Sequence, residues 1–92
     1  MSRGYRASAP DLGKLQSLVE PHFDGLSMIE IKKQHRKIQA WVFDLLGEWV
    51  QRTKALKVTY DAEHVVIEFK TKDDYGWYVY EFSIYVPPRK RR

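Results

Sequence analysis

Residues 27–52 read SMIEIKKQHRKIQAWVFDLLGEWVQR, and the period of this stretch decides the fold. Ser27 and Glu30 stand at the S-x-x-E spacing of a capping box, in which each side chain satisfies a backbone N–H that a helix start leaves open. At about 100° per residue, Met28, Ile31, Ile38, Trp41, Val42, Leu45, Leu46 and Trp49 fall on one broad face. Lys32, Lys33, Arg36 and Lys37 fall on the other. No proline interrupts the run, and Gly47 is its one weak point, costing roughly 1 kcal/mol against alanine. The spacing predicts a single amphipathic helix, roughly 40 Å long at about 1.5 Å per residue. Its apolar ridge is the surface that a sheet elsewhere in the chain must cover.

Upstream, Ser8-Ala-Pro-Asp11 is a second capping pattern, with Pro10 in a first helical turn where its missing N–H costs little. Leu12, Leu15, Leu18 and Val19 then share a face, so a helix is expected over residues 9–20, ended by Pro21. Residues 21–26, PHFDGL, form a connector with Phe23 or Leu26 as an apolar anchor.

Downstream, the period changes from 3.6 to 2. Leu56, Val58 and Tyr60 alternate with Lys57, Thr59 and Asp61, and Val65, Ile67 and Phe69 alternate with Val66, Glu68 and Lys70. Tyr78, Tyr80, Phe82, Ile84 and Val86 alternate with Trp77, Val79, Glu81, Ser83 and Tyr85. Three strands follow, joined by hairpins near residues 61–64 and 72–76. The fold class is α+β: a short N-terminal helix and one long helix packed on a three-stranded antiparallel β-meander, in the order ααβββ.

Ninety-two residues make one domain, with residues 1–7 as a flexible arm and residues 87–92 as a basic disordered tail. Cysteine is absent, which excludes disulfides and thiolate metal sites. The stretch MSRGYRASAPDLG lacks the apolar core of a secretory signal, and no run approaches the ~18 apolar residues of a membrane helix. The expectation is a soluble cytoplasmic protein with no membrane partner.

The formal charge is +4, and its placement carries more information than its size. Arg3, Arg6, Arg89, Lys90, Arg91 and Arg92 are six of the sixteen basic groups, leaving ten between residues 7 and 88 against twelve acidic ones. The body is close to neutral, whereas a generic nucleic-acid-binding domain has a basic body. That balance suits a partner that is part protein and part nucleic acid.

Catalytic chemistry finds little purchase. His22 and Asp24, His35, and Glu63 with His64 are scattered, and none has the helical H-x-x-x-H spacing of a metal site. Ser8 and Ser27 serve as caps, and no glycine-rich phosphate loop is present. No catalytic residue, no metal, no cofactor and no small-molecule substrate are expected.

Three surfaces are candidates for binding. Lys32, Lys33, Arg36 and Lys37 form one patch at i, i+1, i+4 and i+5, suited to a phosphate backbone or an acidic protein surface, or else a solvated helix face. Phe43 lies beside this patch, either as an interface anchor or packed against the first helix. On the third strand, Trp77, Val79 and Tyr85 point away from the core, free for protein or unstacked bases unless the first helix covers that face. The tail Arg89, Lys90, Arg91 and Arg92 is either a non-specific phosphate contact or a solubilising terminus.

In being short, single-domain, free of cysteine and without catalytic motifs, the chain resembles phage-encoded inhibitors of host defence of the anti-CRISPR type. That resemblance implies a non-enzymatic protein of the host bacterial cytoplasm. It would dock on a multi-subunit nucleoprotein complex and block nucleic-acid access. Two other readings stay open: a direct RNA- or DNA-binding regulator using the basic stripe and tails, and a protein-interaction or oligomerisation module.

Overall fold

A computed structural model describes residues 10–50, 53–73 and 75–88. The arm and the tail residues Arg89 to Arg92 lie outside the described residues, as does the Ser8 cap. Three helices precede three strands: α1 Leu12–Val19, α2 Met28–Lys33, α3 His35–Trp49, β1 Lys54–Tyr60, β2 His64–Asp73 and β3 Gly76–Tyr85. The sheet is an antiparallel meander in the order β1-β2-β3, as the change of period predicts.

α1 is shorter than expected. Its cap is Asp11, whose carboxylate accepts from the Lys14 N–H at 3.1 Å, so Pro10 precedes the helix instead of starting it. Pro21 does not end the helical path outright. The chain tightens into a 3₁₀ turn over Glu20–Phe23, where proline's missing donor falls among unsatisfied positions anyway. Phe23 is buried and anchors the connector. Gly25, at φ 79°, then reverses the chain in a conformation that a side chain would strain.

The long helix is in fact two. Its start is as expected: Glu30 N–H donates to Ser27 Oγ at 3.2 Å and Ser27 N–H donates to Glu30 Oε1 at 2.7 Å. The helix then breaks at Gln34, at φ −102° and ψ 21°, where the N–H donates to the Ile31 carbonyl at 2.9 Å. In an unbroken helix Lys32 would face Arg36 and Lys33 would face Lys37. Like charges at i,i+4 cost an unbroken helix about 0.2–0.5 kcal/mol per pair, and the break removes that geometry. α3 alone is about 22 Å long at 1.5 Å per residue.

The helices pack on one face of the sheet, α1 against β3 and α3 against β1. Leu15, Val19, Ile31, Val42, Leu46, Val65, Ile67, Phe69 and Ile84 are fully buried between the layers. Trp49 is not in this core. It is 52 % exposed, with the Lys14 ammonium 5.2 Å from its ring. A helical wheel gives a direction but not what lies there. Trp49 is the last helical residue and overhangs the start of α1, while Val50, already extended, turns inward and is buried.

Candidate functional site

Because both helical layers cover one face, the other face of the sheet is open. Cross-strand pairing sets what stands on it. Lys72 lies opposite Trp77, Lys70 opposite Val79, Glu68 opposite Glu81, Val66 opposite Ser83 and His64 opposite Tyr85. Trp77 is 45 %, Val79 58 % and Tyr85 50 % exposed, so the first helix does not cover the third strand's outer residues. Trp77 and Tyr85 do not form one site. Eight residues at about 3.3 Å each place them roughly 26 Å apart at opposite ends of β3.

The face divides along its length. At the β2–β3 hairpin end, the Lys54 and Lys72 ammonium groups lie 5.4 and 5.6 Å from the Trp77 ring centre, with Lys70 and Val79 alongside. The centre pairs Lys57 with Glu68 and Glu68 with Glu81. At the far end the His64 and Tyr85 rings lie 5.6 Å apart.

A β-bulge builds the lysine end. Lys57 pairs with Glu68 but Lys54 pairs with Lys70, so β1 spends one more residue than β2 over that span. In regular alternation Lys54 would share the inner face with Leu56. The extra residue turns it to the outer face, where it reaches Trp77. Bulges re-aim side chains in this way. Like charges directly opposite each other are destabilising in a sheet. Among the described residues, no carboxylate forms an ion pair with Lys54, Lys70 or Lys72, and the single ion pair joins His64 Nδ1 to Asp61 Oδ1 at 3.3 Å.

The helical stripe is differently placed. Lys32 and Lys33 lie on α2, and Arg36 and Lys37 on α3, on either side of the break. Lys33, Arg36 and Lys37 line a shallow hollow, while the Lys32 ammonium sits 5.8 Å from the Tyr60 ring. Tyr60 is held from the other side by His35, with Nδ1 and the phenol oxygen 2.7 Å apart. Burial pushes the Tyr60 phenol above its ordinary pKa. Phe43, 49 % exposed, lines a groove with Arg36, Gln39, Ala40 and Leu56. It therefore sits on the β1 side and does not pack against α1. Tyr60 closes the end of β1 opposite to Lys54, so the stripe and the Trp77 cluster occupy opposite ends of the molecule as well as different layers.

The sequence reading names Trp77 but misses Lys54, Lys70 and Lys72 as its companions. Lys70 and Lys72 were findable: both alternate outward, and pairing back from a two-residue turn puts them opposite Val79 and Trp77. Lys54 was not, because plain alternation sends it inward.

Surface hollows of about 500 Å³ beside Phe43, about 560 Å³ among residues 33–37 and about 390 Å³ between Trp49 and the start of α1 accompany a smaller cleft. A cleft of about 150 Å³ lies between His22, Phe23, Gln34, Lys37 and Trp41, with the His22 and Trp41 rings 4.1 Å apart. Ligand pockets typically run from about 300 to 1,000 Å³. Among the described residues, no three histidine or acidic side chains converge as metal ligands, and no helix is long and apolar enough to cross a membrane. Compared with known proteins, the chain matches no family model, no curated protein and no solved structure.

Proposed function

We propose that this is a non-enzymatic binding protein that docks on a nucleoprotein complex and keeps a nucleic-acid strand from its place there. One observation carries the reading. Two cationic surfaces, each with an exposed aromatic beside it, stand at opposite ends and on opposite layers of a nearly neutral body. A protein meant only to coat nucleic acid gains from charge all over. A protein that fits between nucleic-acid-binding walls gains from charge in separate places, with aromatic anchors to define the fit. Occlusion of this kind is what the resemblance to anti-CRISPR-type inhibitors implies, with a CRISPR effector complex as the partner.

The test is tagged capture from a bacterial lysate, with and without nuclease, using the wild type and a variant carrying Lys33→Glu and Lys37→Glu. The expected result is a defined set of proteins that survives nuclease, is depleted by the variant, and binds its target nucleic acid less well when this protein is added. Recovery of nucleic acid alone, lost on nuclease treatment, overturns the docking reading.

A further inference from the structure

We infer that the open sheet face at the β2–β3 hairpin end binds single-stranded nucleic acid, with an unpaired base stacked on the Trp77 indole and phosphates held by Lys54, Lys70 and Lys72. The inference deepens the proposed function by assigning one of its two surfaces a ligand class.

Four features support it. The first is a concentration of like charge: Lys54 and Lys70 are directly paired across strands and Lys72 is two residues further on the same face, with no ion pair to any of them among the described residues. Such an array destabilises the free sheet and is relieved by a polyanion. The second is position. Lysines on edge strands commonly protect against pairing with another chain. Lys70 and Lys72, however, lie on β2, the central strand, which has no free edge to protect. The third is the bulge, which spends a residue of β1 to bring Lys54 to Trp77.

The fourth is the indole itself. A cation over an exposed aromatic ring is worth only about 0.5–1 kcal/mol, so a base can displace either lysine from the ring. A base stacked on an aromatic side chain is worth more, about 1–3 kcal/mol, and the displaced ammonium groups remain within reach of the flanking phosphates. Glu68 and Glu81, opposite each other at the centre of the face, repel a polyanion and confine the site to the hairpin end. A duplex is a poor occupant. Its base faces are stacked away from the indole, and its major groove admits a helix or a two-stranded ribbon, not the flat face of a three-stranded sheet.

The experiment is fluorescence anisotropy on the isolated full chain at low salt. The probes are a labelled oligothymidylate, the matching oligouridylate and a labelled hairpin duplex. The single strands are expected to bind more tightly than the duplex. Trp77→Ala should weaken single-strand binding by about 5- to 150-fold, the worth of one stacked base, and Trp77→Phe should restore most of it. The log K against log salt slope should be about −2 for three phosphates, and Lys70→Gln with Lys72→Gln should flatten it by about 1.4.

Equal affinity for the duplex, or Trp77→Ala without effect, overturns the inference. So does polyglutamate that competes equally well with wild type and Trp77→Ala, since that marks a surface for acidic protein. Trp77 stands on the open face outside the core, so its variants should melt near wild type; if Trp77→Ala unfolds, Trp77→Phe and the lysine pair still decide. A wild type that binds neither single strand sinks this assignment and leaves the docking reading standing. Failed lysate capture with successful titration does the reverse.

Discussion

The two basic clusters of this molecule are assembled in opposite ways. The helical stripe holds four cations within six consecutive residues, 32–37; the sheet cluster draws three from positions as far apart as 54 and 72. On a helix, neighbours in sequence point around a convex cylinder, and here the break at Gln34 splits them further, sending Lys32 to Tyr60 and leaving Lys33, Arg36 and Lys37 around a hollow. On a sheet, residues opposite each other stand about 4.5–5.5 Å apart on a flat face, so charges distant in sequence become adjacent. Density in the sequence is therefore a poor guide to density in space. The cluster focused on an aromatic ring is the dispersed one.

That comparison rests on both clusters riding on one common core, which gives the largest expected effect. Phe69→Ala removes a fully buried ring beneath the open face and should cost about 3–5 kcal/mol, lowering Tm by well over 10 °C in a scanning calorimeter. Trp49→Ala should cost less than about 1 kcal/mol, because the ring is half exposed and its ammonium contact is weak. Equal losses from the two substitutions would restore Trp49 to the core and contradict the packing described here.

The next expectation has the opposite sign. Lys70→Glu converts a like-charged cross-strand pair with Lys54 into an opposite-charged one, and should stabilise the protein by about 0.2–1 kcal/mol in urea unfolding. A destabilised Lys70→Glu would show that the lysines support the sheet and are not held there at a cost. On the helical side, Lys33→Glu with Lys37→Glu should move stability by no more than about 0.5 kcal/mol, since both side chains are exposed and form no ion pair among the described residues. Unfolding by that charge swap would make the stripe structural.

The smallest effect concerns the β1–β2 turn, at the end of the sheet away from Trp77. Asp61 Oδ1 accepts from the Glu63 N–H at 2.9 Å and the His64 N–H at 2.7 Å. The Glu63 bond, then the His64 bonds and charge, hold the carboxyl below its ordinary pKa. A lowered folded-state pKa means that the unfolded chain binds the proton more readily. The contribution is thus complete above the ordinary carboxylate range and disappears as pH falls through the folded value. Melting curves taken down an acid series should show a slightly steeper loss for wild type than for Asp61→Asn; parallel curves would remove the turn from the pH response.

Much of this fold is legible in the residues. The Ser27–Glu30 box marks a helix start because its two hydrogen bonds are local, and both form. The shift to period 2 after residue 53 gives three strands, and the inward set Val58, Val65, Ile67, Phe69, Phe82, Ile84 and Val86 is buried. The candidate site is legible in part. Trp77 and Val79 point outward by alternation, and the structure leaves them exposed. Phe43 lies off the core face by the same wheel that places Arg36 beside it, and the two share a groove.

What the residues determined by themselves was therefore what near neighbours govern: the capping box, the two periods, the hairpins and the side on which strand residues outside the bulge stand. Tertiary structure alone decided the rest. Whether an apolar position is covered depends on what lies beyond the helix end, so Trp49 overhangs while Val50 turns in. Where Lys54 points depends on one unpaired residue in a ladder made with a strand ten or more positions away. Each is set by long-range pairing and burial, energies that no local spacing encodes.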